Sequence, residues 1–380
     1  MKEYSEKPCD IVIKTSGTTI DYDGKTIITK YNAMKIISHS RNLTIKNLII
    51  KHVNNDCHDT SIGIIIYGNT EVKFDNIIID GFTIGVKIFG SNVKLNFDNL
   101  KINGSEIATD ITNVDKIKLR SYNLSTTYPQ SDIGLKINRS NVLLSNFFIN
   151  GFKKAIFLEK SSFGAKKGSI IGGIIKSLDS DTYIDFISIS NLKFFKIIGG
   201  DFLNITNTTL ESRNLIITPA IYVNGCKYLN FDKNRILING KYVGTKPIFL
   251  YEKFKRFVSK KCRTDINISE TDGNATPSWI AHKFGTGSDL ILENDKIILT
   301  NTIKKVLIAY ILYEIVREQT LHTFNCNFTV NDISESNVPS LLTISEKTNN
   351  EIIFVEQEVD GDNKKKIHYN INGTLIAQNN

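Results

Sequence analysis

Two polar excursions interrupt an otherwise repetitive chain, and they gather side chains able to move protons. Residues 52–61 read His-Val-Asn-Asn-Asp-Cys-His-Asp-Thr-Ser, and residues 126–132 read Thr-Thr-Tyr-Pro-Gln-Ser-Asp. With Asp80 and Glu106 they offer carboxyls, imidazoles and a phenol. A pair of carboxyls is what glycoside cleavage needs: one protonates the leaving oxygen, the other activates water or attacks the anomeric carbon. Carboxyls held close together also raise the pKa of one member, as a general acid requires. Asp56, Asp59, Asp80, Glu106 and His58 are therefore the candidate catalytic residues. His52, Tyr128, Asp132, Lys153 and Lys154 are the candidate substrate contacts. Plainer readings stand beside these, since Asp80 before Gly81 fits a turn and Glu106 fits a solvated charge.

The same side chains admit other chemistry. His52, Asp56, His58 and Asp59 could converge on a metal, but no spacing such as His-Glu-x-x-His is present. Neither a metal nor another cofactor is expected. Elimination across a uronate would use His58 or Tyr128 as base and Lys153 or Arg120 to neutralise the carboxylate. Hydrolysis is favoured, with elimination the alternative.

What positions these residues is a repeat. Segments beginning at residues 41, 70, 92 and 141 share one plan: a short alternating strand, a polar corner, a second apolar strand, then a turn. The corners are Asn47, Asn76, Asn99 and Asn146, and the turns are Asp80-Gly81, Asn103-Gly104 and Asn150-Gly151. A period of ~22 residues with three short strands is the pattern of a parallel β-solenoid. Equivalent Asn corners can stack in side-chain ladders, and Asn tolerates the left-handed backbone a sharp corner needs. About nine coils fit between residues 10 and 255. By the repeat alignment both excursions leave from the turn that carries Asp80-Gly81, which gathers the candidate residues on one face.

This pattern resembles the pectate-lyase-like superfamily of right-handed parallel β-helices. The opening residues 13–27 look like the entry strand of many members. Asn54-Asn55-Asp56 falls where the polygalacturonase branch carries its Asn-Thr-Asp motif, whereas Phe82-Thr83 stands at the Asp-Asp position. The mechanism of that branch is therefore not carried over. From residue 256 the period fades: residues 256–285 read as a connector, and residues 286–380 as a C-terminal β-rich domain of sandwich type. A β-helix followed by a sandwich resembles phage tailspikes and capsule depolymerases, which implies a homotrimer on a virion tail or otherwise outside the cell.

Composition agrees with an all-β chain. Of 380 residues, 60 are Ile and 9 are Ala, where a helical protein would want the reverse. No segment reaches the ~18 apolar residues of a membrane span. The first nine residues carry no apolar stretch of the kind a secretory signal has. Five scattered Cys form no disulfide framework. The net charge of +8 suits an acidic partner, and because the Lys residues are dispersed, an acidic polysaccharide fits better than nucleic acid. The sequence thus points to a depolymerase acting on an anionic bacterial capsular glycan. The alternatives are a non-catalytic receptor-binding tail protein or adhesin, and a cytoplasmic enzyme of capsule assembly or modification.

Overall fold

The computed structural model describes residues 9–37, 39–53, 61–103, 105–115, 117–125, 132–172, 193–212, 215–217, 220–243, 249–271, 280–283, 289–301, 313–315, 320–332, 342–344, 348–349, 353–359 and 365–377. All regular structure among them is strand. The chain divides into two compact units, Met1–Ile171 and Gly172–Asn380.

The first unit is a stack of parallel coils with three strand positions per coil. One sheet is built from Cys9–Ile13, Asn32–Ile36, Ile62–Ile66, Ile84–Phe89, Ile107–Thr112, Ile133–Asn138 and Lys154–Glu159, each paired in parallel with the next. The other two sheets come largely from single long strands bent in the middle: Thr19–Thr29, Leu43–His52, Glu71–Asp80, Val93–Asn103 and Asn141–Asn150. One coil splits this strand into Ile117–Arg120 and Asn123–Ser125. Such a chain is the parallel β-solenoid that the repeat predicts.

The bend is where the Asn corners sit. Asn47, Asn76, Asn99 and Asn146 all have φ between 51° and 58°. A residue with a Cβ pays for this left-handed geometry unless, like Asn, it bonds locally. The amides also stack: Asn99 Nδ2 donates to Asn76 Oδ1 at 3.1 Å, and Asn76 Nδ2 to Asn47 Oδ1 at 3.1 Å. Asn47 Nδ2 in turn donates to Asp21 Oδ1 at 3.0 Å. Lys46, at 2.9 Å, and these donors hold the Asp21 carboxyl down at about 2.

Inside, aliphatic side chains from successive coils stack in rows, as Ile45, Ile50, Ile77, Ile79, Val86, Ile102 and Ile149 do. Ile49, Ile65, Ile78, Val86 and Ile149 all lie in strands, where alternation turns Ile49 and Ile78 outward while Val86 and Ile149 face the core. Phe74 stacks on Phe97 at 5.2 Å and 11°, and Phe97 leans on Tyr122 at 5.3 Å. Gly63, Gly85 and Gly134 occupy one row of the first sheet, where any Cβ would collide with the third sheet. At Gly85 it would lie 2.6 Å from Ile102 Cγ2 and 2.7 Å from the carbonyl oxygen of Ala108.

The second unit repeats the plan with longer coils. Phe202–Thr206, Tyr228–Asp232, Arg256–Lys260, Asp289–Glu293 and the first half of Thr320–Asp332 pair in parallel succession. So do Arg235–Val243, Arg263–Thr271, Lys296–Asn301 and the second half of Thr320–Asp332. Parallel pairing therefore continues through the described strands of the stretch expected as a connector and into the stretch expected as a sandwich. The period escapes the sequence there because polar stretches of varying length separate the strands. Among the described residues strand direction reverses at Lys365–Ala377, which runs antiparallel to Thr320–Asp332 and is flanked by Ile353–Val359, also antiparallel.

One corner of this unit is polar and buried. Left-handed Lys233, Lys261, Asn294 and Asn325 are each followed by an inward residue: Asn234, Cys262, Asp295 and Cys326. The Cys262 N–H donates to Asp295 Oδ1 at 2.8 Å. Burial pushes the Asp295 carboxyl up to about 6 and the Cys262 thiol up to about 12.

Candidate functional site

The corner joining the third sheet back to the first carries Asp80, Glu106, Asp132, Lys153 and Lys154. Its near side is the end of the third-sheet strands, where Lys51, Asp80 and Asn103 occupy equivalent positions of successive coils. Lys51 and Asp80 point outward, because their neighbours Ile50 and Ile79 fill the core, while the side-chain oxygen of Asn103 is buried. On the far side the first-sheet strands begin. There the backbone links Ser61, Thr83, Glu106, Asp132 and Lys154 coil by coil: Ile84 N–H to Ser61 O, Ile107 N–H to Thr83 O, Asp132 N–H to Glu106 O, and Lys154 N–H to Asp132 O. Asp80 and Glu106 thus sit on adjacent coils at opposite sides of one turn, and Glu106 and Asp132 are direct coil neighbours.

Their surroundings differ. Glu106 is exposed and Asp80 half-buried. Asp132 is held by Lys154, whose Nζ lies 2.8 Å and 3.1 Å from the two carboxylate oxygens. Lys153, half-buried, starts the next coil beside this pair. The corner therefore presents three carboxylates among three lysines, Lys51, Lys153 and Lys154.

His52 does not join this surface. It continues the inward series of Leu48 and Ile50, is 6 % exposed, and sets its ring edge-on to Phe82 at 5.4 Å. Its Nε2 lies 3.0 Å from the carbonyl oxygen of Lys30. The expectation of a substrate contact is corrected: strand alternation places His52 in the core, where it braces the corner. Asp56, His58, Asp59 and Tyr128 lie outside the described residues. Among the described residues no group of three or more His, Cys, Asp or Glu side chains is placed to hold a metal ion.

A second polar cluster on the first sheet was not anticipated. Lys87 and Asp110 stand at equivalent positions of successive coils, with Lys87 Nζ 2.9 Å from Asp110 Oδ2 and both side chains under a tenth exposed. Thr112 Oγ1 donates to the other carboxylate oxygen at 2.9 Å. Beside them Tyr67 and Phe89 stack at 5.8 Å and 29°, Lys35 Nζ lies over Tyr67 at 5.1 Å, and Lys87 Nζ over Phe89 at 5.3 Å. Cations over ring faces, beside an apolar floor of Ile62, Ile65 and Ile84, form an amphipathic surface. The clue available was a Lys and an Asp at one repeat position in strands otherwise rich in Ile and Val.

No family model and no curated protein matches the chain. Among solved structures it is similar to the crystal structure of the Dettilon tailspike protein, at 9% sequence identity and a TM-score of 0.29, over 96% of this chain and 69% of that one. The chain is a parallel β-solenoid. No residue role is taken from that likeness. Among the described residues no helix is long and apolar enough to cross a membrane.

Proposed function

We propose that this protein binds and cleaves an anionic polysaccharide of a bacterial surface, a capsule for instance, as a glycoside hydrolase. The observation that carries the reading is the placement of Asp80 and Glu106 on adjacent coils of one corner, beside Lys51, Lys153 and Lys154. One carboxylic acid gives its proton to the glycosidic oxygen. The other carboxylate takes a proton from the water that attacks the anomeric carbon, leaving a new reducing end and a free hydroxyl. Adjacent coils rise by ~4.8 Å, and the offset of the two acids around the turn widens their separation further. That favours inversion, which needs room for water at about 6.5–9.5 Å, over retention at about 5–5.5 Å. The lysines suit an acidic polymer, and a phage tail or another extracellular setting, with three copies assembled about a common axis, suits such an activity. Incubating the protein with purified acidic capsules tests it: new reducing ends support hydrolysis, and ultraviolet absorbance from an unsaturated uronate would mark elimination instead.

A non-catalytic glycan receptor is the second reading. It is favoured by Asp132 and His52, which the corner uses for structural contacts with Lys154 and with Lys30 and Phe82. Polymer retained with no cleavage would establish it.

A further inference from the structure

The second unit exposes an aromatic pair on a sheet face that the proposed chemistry does not use. In the strand Lys193–Ser212, Leu203 and Ile205 are buried at 1% and 0%, so alternation turns Phe202, Asn204 and Thr206 outward. One coil on, Leu229 and Phe231 are buried, and Tyr228, Asn230 and Asp232 face out. Phe202 is in register with Tyr228, and Tyr228 with Arg256. The two rings stack at 5.3 Å and 20°, yet Phe202 remains 56% and Tyr228 42% exposed. Immediately beside them Asn230 Nδ2 donates to Asn204 Oδ1 at 2.9 Å, a second row of amides parallel to the rings.

Charge completes the face. Lys227 Nζ pairs with Asp201 at 2.7 Å next to the rings. Lys255 and Arg256 are exposed one coil further on, and Asp289 follows Arg256 in register. Lys227, Lys255 and Arg256 share the face with Asp201, Asp232 and Asp289, and the Lys227–Asp201 pair is already engaged, which leaves Lys255 and Arg256 as the cations beside the rings.

We propose that this face is a second glycan-binding surface, one that grips an acidic polysaccharide strand without cleaving it; the inference rests on the polysaccharide reading above. Stacked rings give the apolar C–H faces of sugars a rigid ledge whose side-chain freedom is already spent. Paired Asn amides offer donors and acceptors to hydroxyls. Arg256 presents a planar fork to a sugar carboxylate. The coil rise of ~4.8 Å is close to the advance of an extended hexose chain, so successive sugars meet equivalent side chains.

Binding of immobilised polygalacturonate and alginate, with dextran as neutral control, tests the inference in the full chain. Phe202→Ala with Tyr228→Ala weakens binding of the acidic polymers at least 10-fold, Arg256→Gln removes much of its salt dependence, and the ring-preserving Tyr228→Phe stays near wild type. Unchanged affinity in the double variant overturns the inference while leaving cleavage at the first unit intact. A sedimentation mass that falls in the double variant overturns it in favour of an interface between copies, and so does a wild-type chain that retains neither acidic polymer. Loss of reducing-end release in Glu106→Gln with retention unchanged supports the two sites being separate. A wild type that is retained, sensitive to Tyr228, and releases no reducing ends sinks the hydrolase reading alone.

Discussion

Lys154 holds Asp132 through both carboxylate oxygens, at 2.8 Å and 3.1 Å, while Glu106, one coil earlier in the same row, is exposed. A carboxylate clamped in this way is already committed as an acceptor. On the hydrolase reading we therefore assign proton transfer to Asp80 and Glu106. Asp80→Asn or Glu106→Gln should lower turnover at least ~100-fold, the usual scale for losing a general acid or base. Asp132→Asn should cost less than ~10-fold, since it removes a positioning contact only. Steady-state release of reducing ends from an acidic capsule decides between them. Equal losses in all three variants would make Asp132 a working acid.

The Asn ladder should be felt in stability rather than activity. Asn76→Ala removes one rung that donates to Asn47 and accepts from Asn99, and forces Ala into a left-handed corner. A cost of about 2–3 kcal/mol is expected from the backbone and the lost amide bonds together. Asn76→Gly should recover the backbone share and so fall between the two. Urea midpoints measure both, and an Asn76→Ala midpoint equal to wild type would show that the ladder is ornamental.

Stability should fall with rising pH on account of Asp295. Its folded-state pKa of about 6 lies above the ordinary value of 3.8, so the native state binds the proton more tightly than the unfolded chain. The contribution is fully present below pH 3.8 and is lost as pH climbs through about 6. A shift of roughly two units corresponds to on the order of 2–3 kcal/mol. Asp295→Asn keeps an oxygen for the Cys262 N–H and never ionises, so it should flatten this window and raise stability at pH 8. Thermal unfolding from pH 4 to 8 checks the difference between the two proteins, which isolates Asp295 from other groups such as Asp21.

Close packing of the first sheet against the third gives a steric prediction. Gly85→Ala would place its Cβ 2.6 Å from Ile102 Cγ2 and 2.7 Å from a backbone oxygen, which cannot yield as a side chain could. Destabilisation of about 1–3 kcal/mol is expected. Gly85→Ala combined with Ile102→Val should be no better, because valine keeps the Cγ2 methyl and the Ala108 carbonyl remains. Denaturant titration of the three proteins reports it.

Residues whose backbone demand is chemical were legible in the sequence. Asn47, Asn76 and Asn99 recur because few side chains accept a left-handed corner, so the corner shows in the letters themselves. Asp80-Gly81 marked the opposite corner for the same reason. Facing was harder to read. His52 looked like the first residue of an excursion, but the strand runs one residue further than the polar letters suggest, and period two then carries it into the core. Lys87 and Asp110 hid because a charge inside a strand reads as solvated until its coil neighbour is known. Past residue 255 the strands Arg256–Lys260, Asp289–Glu293 and Thr320–Asp332 pair in register although 33 and 31 residues separate their starts, and no fixed period reveals that.

Lys365–Ala377 lies across Thr320–Asp332 in the opposite direction, and Ile353–Val359 lies outside it with Glu356 and Glu358 along its length. A parallel coil offers the next chain a template of its own kind, and a stack of identical spacing is open to end-to-end fibre growth. Reversing polarity at this strand changes the pattern of hydrogen bonds on offer. Where Lys365–Ala377 covers Thr320–Asp332, a further parallel coil would meet a mismatched edge, which disfavours end-to-end addition there.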